Sequence, residues 1–337
     1  MRKNWNTKKQ EISLQEELSK TLSVSFLSAQ LLINRGIRDA RAARFFMKPS
    51  LLSLYDPFLM KDMEKAVARI KDAIAKKERI FVYGDYDVDG ICSTALIYLV
   101  LREMGADPEY YIPNRLEEGY GLNKDAISDI NDKGVDLLIT VDCGITALEE
   151  VRELNKLGID VIITDHHTAD AQIPDAFAVL DPMRMDCSYP DKSLAGVGVA
   201  FKLATALLGK ESDFLYEQLD IVCLATIADV VPVIGENRIL VKNGLHQLSH
   251  TKKLGLKALV EAASIKDGSN ISSYHVGYIL APRINATGRL GSADIALKLI
   301  LSEDEVEANV LASQLNDENK SRQTLEAKVL KEALAKV

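Results

Sequence analysis

Residues 79–90 read RIFVYGDYDVDG, and the change of texture at Gly84 decides the fold. The first six residues, rich in Ile, Phe, Val and Tyr, suit a strand. An acidic, glycine-bounded turn then leads into ICSTALIYLVLREMG (91–105), whose apolar residues recur at helical spacing and which closes on a glycine. A strand passed to a helix through a short loop is the first half of a βαβ unit. The pattern repeats through EYYIP (109–113), DLLITVD (136–142) and DVIITD (160–165), with the helical stretches NKDAISDINDKG (123–134) and TALEEVRELNKLG (146–158) between them. AFAVLDP (176–182) adds a further strand before an irregular segment at 183–196. The expected fold is α/β: a doubly wound parallel sheet followed by a helical subdomain.

The chain of 337 residues and 37.2 kDa exceeds what one hydrophobic core usually spans, so an internal boundary is expected. With 47% hydrophobic, 27% charged and 6% aromatic residues, disordered, collagenous and disulfide-scaffold classes are excluded. Four parts are predicted: a basic helical segment at 1–75, the α/β domain at 76–200, a helical subdomain at 201–302 that closes a cleft, and a connector helix at 303–337. No apolar run approaches the ~20 residues of a membrane helix. The opening MRKNWNTKKQE is basic but lacks the apolar stretch of a signal peptide, so a cytoplasmic location without a membrane partner is expected. Cys92, Cys143, Cys187 and Cys223 show no CxxC spacing and are read as reduced thiols. The net charge of −8 conceals 17 basic against 9 acidic side chains in residues 1–80, an asymmetry that suits a polyanion-facing arm, although surface helices carry such charges routinely.

In GDYDVDG, Asp85, Asp87 and Asp89 fall at alternate positions. Carboxylates this close repel one another, and a bound cation explains the arrangement. The competing readings are a plain acidic turn and an EF-hand loop; the latter fails because its twelfth position is Leu96, where a bidentate Glu is required. VDCG places Asp142 after the third strand, and TDHH places Asp165, His166 and His167 after the fourth. Ligands bind at the carboxyl ends of an open parallel sheet, so these residues are expected to converge. Singly, Asp142 also suits a helix cap and one histidine a buried imidazole. Asp229, in the apolar stretch LATIADVVP (224–232), must meet a base or a metal unless it faces solvent at a frayed end. Carboxylates and imidazole without cysteine suit Mn²⁺ or Mg²⁺. There are enough candidates for two ions, which at ~3.5–4 Å apart activate water and stabilise a leaving oxygen in phosphoryl transfer. No Walker A sequence is present, which speaks against nucleotide-driven motor activity.

Gly196 and Gly198 open a helix whose N–H groups can approach an anion, or they serve helix–sheet packing. Arg283, Asn285 and Arg289 in PRINATGR offer phosphate contacts and hydrogen bonds to a splayed strand. Tyr274, His275 and Tyr278, just upstream, are read as core packing.

The succession GDYDVDG, VDCG, TDHH, LAGVGVAFKLA (194–204) and ATIADVVP (225–232) resembles the DHH phosphoesterase superfamily and, within it, the RecJ single-strand-specific exonucleases. The resemblance covers most of the chain, including residues 32–70 and APRINATGRL (281–290). It implies a metal cluster of Asp85, Asp87, Asp89, Asp142, His166 and Asp229, with Asp165 orienting its neighbours and His167 facing the scissile phosphate. Arg115, in IPNRLEEGYG (112–121), would hold a 5′-terminal phosphate. The implied activity is Mn²⁺- or Mg²⁺-dependent hydrolysis of single-stranded DNA from its 5′ end in repair and recombination. The implied partners are single-stranded DNA and, beside it, DNA-repair and single-strand-binding proteins. The alternatives are a DHH phosphatase, oligoribonuclease or pyrophosphatase, and a noncatalytic replication scaffold. RecJ-like proteins continue beyond the long helix into a further domain, so the chain is expected to be the N-terminal, catalytic portion.

Overall fold

The computed structural model describes residues 8–113, 121–266, 269–290 and 293–336. Packing divides the chain into two units, Met1–Leu54 and Tyr55–Val337. The first holds α1 (Ile12–Leu22), α2 (Phe26–Asn34) and α3 (Ala40–Met47) around a small core of Leu18, Ala29 and Ile33. Ser25 and Asp39 cap α2 and α3 by accepting N–H groups of the first turn.

In the second unit, five parallel strands run β1 (Ile80–Gly84), β2 (Glu109–Tyr111), β3 (Leu137–Val141), β4 (Asp160–Thr164) and β5 (Ala178–Leu180), in the order β2-β1-β3-β4-β5. The chain leaves β1 for one neighbour and returns to the other, so the topological switch point lies between β1 and β3. The intervening helices are α5 (Val88–Glu103), α6 (Lys124–Asp132) and α7 (Leu148–Lys156). All the predicted strands form, each trimmed at one or both ends, and Gly105 and Gly158 close α5 and α7 with φ of 84° and 80° as left-handed caps.

Helices cover both faces. Phe81, Tyr83, Leu138, Val161, Ile163 and Val179 project to one face, where they pack with Ile127 and Ile130 of α6 and Val151 and Leu154 of α7. The opposite face receives α5, α8 (Gly196–Leu208) and α4 (Met63–Lys76). The amphipathic α4 buries Met63, Ala66, Val67, Ile70 and Ala73 and lies against α8 and β5. That packing places it in the unit of the sheet, so the chain divides earlier than the boundary expected at residue 75.

Beyond α8 the chain is helical: α9 (Asp213–Glu217), α10 (Leu219–Ala228), α11 (Gly235–Ser249), α12 (Leu254–Ala262), a single turn α13 (Ser273–His275), a π-helical turn at 276–280, α14 (Ala281–Leu290), α15 (Asp294–Leu301) and α16 (Glu305–Leu334). Only the first half of α16 is anchored, through Ala308, Ala312, Leu315 and Asn319, on α12 and α14. Tyr274 and Tyr278 depart from the core role expected of them: they are 62% and 75% exposed, while Gly277 takes the contact with Ile227 of α10. Among the described residues no helix is long and apolar enough to cross a membrane.

Inside this unit Lys202 of α8 is buried, with Nζ 2.8 Å from Glu236 Oε1 and 2.7 Å from the Tyr55 carbonyl. Glu236 also accepts the Tyr55 N–H and the Tyr189 hydroxyl, so one buried ion pair ties three distant segments. Removing one charge strands the other out of water. Lys202→Met should therefore cost about 3–5 kcal/mol in urea unfolding, and adding Glu236→Gln should recover part of it. Equal destabilisation by the single and double variants would contradict the pairing.

Candidate active site

Gly84, Val141, Thr164 and Leu180 are register neighbours across β1, β3, β4 and β5. The next residue on each strand is therefore in line: Asp85, Asp142, Asp165 and Asp181 form a row along the carboxyl edge, 4%, 2%, 1% and 0% exposed. Asp181 was not singled out in the sequence, although LDP repeats the strand-then-aspartate order of YGD, TVD and ITD. Its Oδ1 accepts the Met183 N–H at 2.7 Å, and burial pushes its carboxyl up to about 7.

The loops after β1 and β4 bring further groups to this edge. Asp87 caps α5 by accepting the Asp89 and Gly90 N–H groups at 2.8 and 3.2 Å. Asp89 points back toward α8, whose first N–H groups, from Gly196 and Val197, donate to its two oxygens at 2.7 and 2.8 Å. The anion at this helix N-terminus is thus Asp89, which corrects the expectation that Gly196 offers its N–H to an outside ligand. Gly196 is needed for space: a Cβ there would stand 2.4 Å from Asp142 Oδ1. Gly198 packs on Leu194. Asp142 itself sits at φ 60°, a left-handed conformation that aspartate tolerates better than most residues.

Asp165 is saturated. Its Oδ1 accepts the His166 and His167 N–H groups and meets His167 Nδ1 at 2.7 Å, and its Oδ2 accepts the Ile145 N–H. Burial raises its carboxyl, but these bonds and the charge of His167 outweigh that and hold it below the usual range. His167, nearly half exposed, is correspondingly pushed up to about 9 by its bond to Asp165. His166 behaves oppositely: burial and the neighbouring His167 push it down to about 4, and its ring hydrogen-bonds the Leu194 backbone.

His166 Nε2 then lies 3.1 Å from Asp142 Oδ1 and 3.8 Å from both Asp89 Oδ2 and Asp229 Oδ2. Asp229 reaches this point from the C-terminal end of α10. Three sets of atoms each fall within 4.8 Å of one another: Asp85, Asp87 and Asp142; Asp89, His166 and Asp229; and Asp142, His166 and His167. Burial, then the adjacent carboxylates, raise Asp89 and Asp142 well above the ordinary carboxylate range, and Asp229 to about 6.

The orphaned atoms show what suits this cluster. Asp142 Oδ1, His166 Nε2 and Asp229 Oδ2 are buried and make no hydrogen bond, despite their proximity. Oxygen-rich donors gathered around the His166 imidazole fit a hard or borderline divalent ion. All six expected metal residues are thereby brought together.

The outer residues fare differently. Asn285 accepts the Val88 N–H at 3.2 Å, bracing the start of α5. Arg283 is held by Ile279 O and Asn316 Oδ1, at 2.6 and 3.2 Å. Arg115 and the side chain of Arg289 lie outside the described residues.

Comparison with known proteins gives the same order of motifs a lineage. A model of the DHH family, N-terminal domain, matches residues 79–226. The chain is 44% identical over 333 residues to the single-stranded-DNA-specific exonuclease RecJ of Bacillus subtilis, covering 99% of this chain and 42% of that protein. A crystal structure of exonuclease RecJ bound to manganese is 40% identical with a TM-score of 0.76, covering 82% of this chain and 70% of that one. RecJ from Thermus thermophilus in complex with Mn²⁺ is 35% identical with a TM-score of 0.82, covering 97% and 46% respectively. The chain spans about half the length of the curated relatives it matches. With likeness in sequence and fold extending over most of its residues, it belongs to the RecJ family of the DHH superfamily.

Proposed function

We propose that the chain hydrolyses phosphodiester bonds of single-stranded DNA from the 5′ end, releasing 5′-mononucleotides, as part of cytoplasmic DNA repair and recombination. The observation that carries this reading is the convergence of Asp89 from α5, Asp142 from the end of β3 and Asp229 from α10 on His166 Nε2, which leaves Asp142 Oδ1, His166 Nε2 and Asp229 Oδ2 buried without a hydrogen bond. Relatives crystallised with Mn²⁺ and Mg²⁺ support those cations here. Asp85, Asp87 and Asp142 would hold one ion and Asp89, His166 and Asp229 a second. Such ions supply Lewis-acid activation of water and neutralise charge on the phosphate.

The residues do the rest. Asp165 holds the His167 ring through Nδ1, keeping it protonated beside the carboxylate cluster, where it stabilises the scissile phosphate. Water oxygen bonds to phosphorus, the P–O3′ bond breaks, the departing 3′-oxygen takes a proton, and the remaining strand keeps the phosphate as its new 5′ end. Arg115 is assigned to the terminal phosphate, and Arg283, Asn285 and Arg289 to support of the strand. Single-strand-binding and repair proteins are the partners this reading implies.

Asp142→Asn keeps the left-handed backbone while removing one buried charge. In EDTA it should melt higher than the parent, because each unit by which burial raises a carboxyl pKa costs about 1.4 kcal/mol at neutral pH. Added Mn²⁺ should stabilise the parent and shift the variant much less. An equal manganese shift in both proteins would remove Asp142 from the ligand set. Activity is tested on 5′-labelled single-stranded DNA, duplex DNA, short RNA and pyrophosphate with Mn²⁺. Turnover should be confined to the single strand and fall by at least about 100-fold in Asp142→Asn; preference for pyrophosphate or short RNA would replace the proposal with a phosphatase or oligoribonuclease. Arg115→Ala should weaken use of 5′-phosphorylated ends selectively, and equal loss on unphosphorylated ends would refute its assignment.

A further inference from the structure

The segment 273–290 begins at a surface to which the hydrolytic chemistry assigns no role. Tyr274 and Tyr278, four residues apart, stack with ring centroids 5.1 Å apart and planes inclined by 30°, largely in solvent. Nearby Val230 is 85% exposed, Ile234 54% and Val233 37%. Exposed apolar area of this kind, concentrated in one place, marks a binding surface more often than a solvated one. Val230 also adopts φ 63°, a strained conformation for a β-branched residue and one that clusters at functional sites.

The location gives the patch its meaning. Val230 directly follows Asp229, which reaches the carboxylate cluster, and the turn at 276–280 packs on α10 through Gly277 and Ile227. At its other end the same segment touches the loop that carries Asp85, Asp87 and Asp89: Asn285 accepts the Val88 N–H, and a Cβ at Gly288 would stand 2.7 Å from the Tyr86 carbonyl. Tyr278 and Asn285 are seven residues apart on it, about 10 Å along a helix axis. Between α10 and α11 an open groove of about 530 Å³ is lined by Ile227, Val230, Val233, Arg238, Lys242 and Ser273. An apolar floor with two cationic side chains beside stacked rings matches one ligand chemistry closely. A single strand presents a flat π-face with every base and a phosphate between bases.

We infer that Tyr274 and Tyr278 form a base-stacking platform that grips single-stranded DNA just outside the cleavage centre, with Lys242 facing its phosphates. The inference rests on the nuclease reading of that centre and deepens it. The platform favours strands long enough to reach it, makes little distinction among bases, and leaves hydrolysis at the first internucleotide phosphate unchanged.

The test separates binding from cleavage. Fluorescence anisotropy in EDTA compares a long labelled oligothymidylate with a backbone of the same length lacking bases, for the parent, for Tyr274→Ala/Tyr278→Ala and for Tyr274→Phe/Tyr278→Phe. The alanine pair should weaken binding of the oligothymidylate at least about 10-fold and the abasic strand little, whereas the phenylalanine pair should bind like the parent. Manganese-dependent cleavage of a dinucleotide should be equal in all three. Unchanged affinity in the alanine pair, equal loss on abasic and normal strands, or a changed gel-filtration volume that marks a protein interface would each overturn the platform. Absence of cleavage by the parent with tyrosine-dependent binding intact would instead sink the hydrolytic reading alone.

Discussion

Like charges held out of water at the edge of one sheet are the constraint on which this molecule turns. Asp85, Asp89, Asp142 and Asp165 are all at most 4% exposed, and Asp229 approaches them from α10. Burial of even one unpaired carboxylate is expensive, and a cluster is more so. The fold meets part of that cost with backbone N–H donors: α8 serves Asp89, Ile145 and the two histidines serve Asp165, and the start of α5 serves Asp87. What the donors leave unsatisfied, at Asp142, His166 and Asp229, faces one shared volume. A divalent ion there would convert repulsion into attraction, so stability and chemistry are linked through the same atoms.

Parallel register is what makes the cluster geometrically possible. Because β1, β3, β4 and β5 end level with one another, a single aspartate added after each strand yields an aligned row. The crossover on either side of β1 opens the edge at its centre, as in other doubly wound sheets. Close approach then depends on small residues where helices meet the row. Gly196 lets α8 come up to Asp142, and Gly288 lets α14 lie on the Tyr86 carbonyl. Gly196→Ala would push a methyl group against the carboxylate it serves to admit.

Strands and helices around the sheet were legible because their hydrophobic periods differ and glycines mark the helix ends. The acids of GDYDVDG, VDCG and TDHH were legible because carboxylates without a partner stand out directly after apolar strands. Asp181 escaped notice: beside a proline, a lone aspartate looks like a turn residue until the register of β5 is known. The direction of Tyr274 and Tyr278 was equally hidden, since helical spacing is the same for a buried stripe and an exposed one. Gly196, whose N–H was expected to meet a ligand, donates it to Asp89, and Asn285 braces α5 through its Oδ1.

Sequence by itself determined the strand and helix succession, the identity of the acids and imidazoles, and their placement after strands, since these follow from local periodicity and residue chemistry. Tertiary structure alone decided that Asp229 meets His166 across more than sixty residues of chain, that Asp89 spends both oxygens on α8, and that one pair of tyrosines faces water. Those facts depend on which faces of distant elements come together, and long-range packing leaves no periodic trace along the chain.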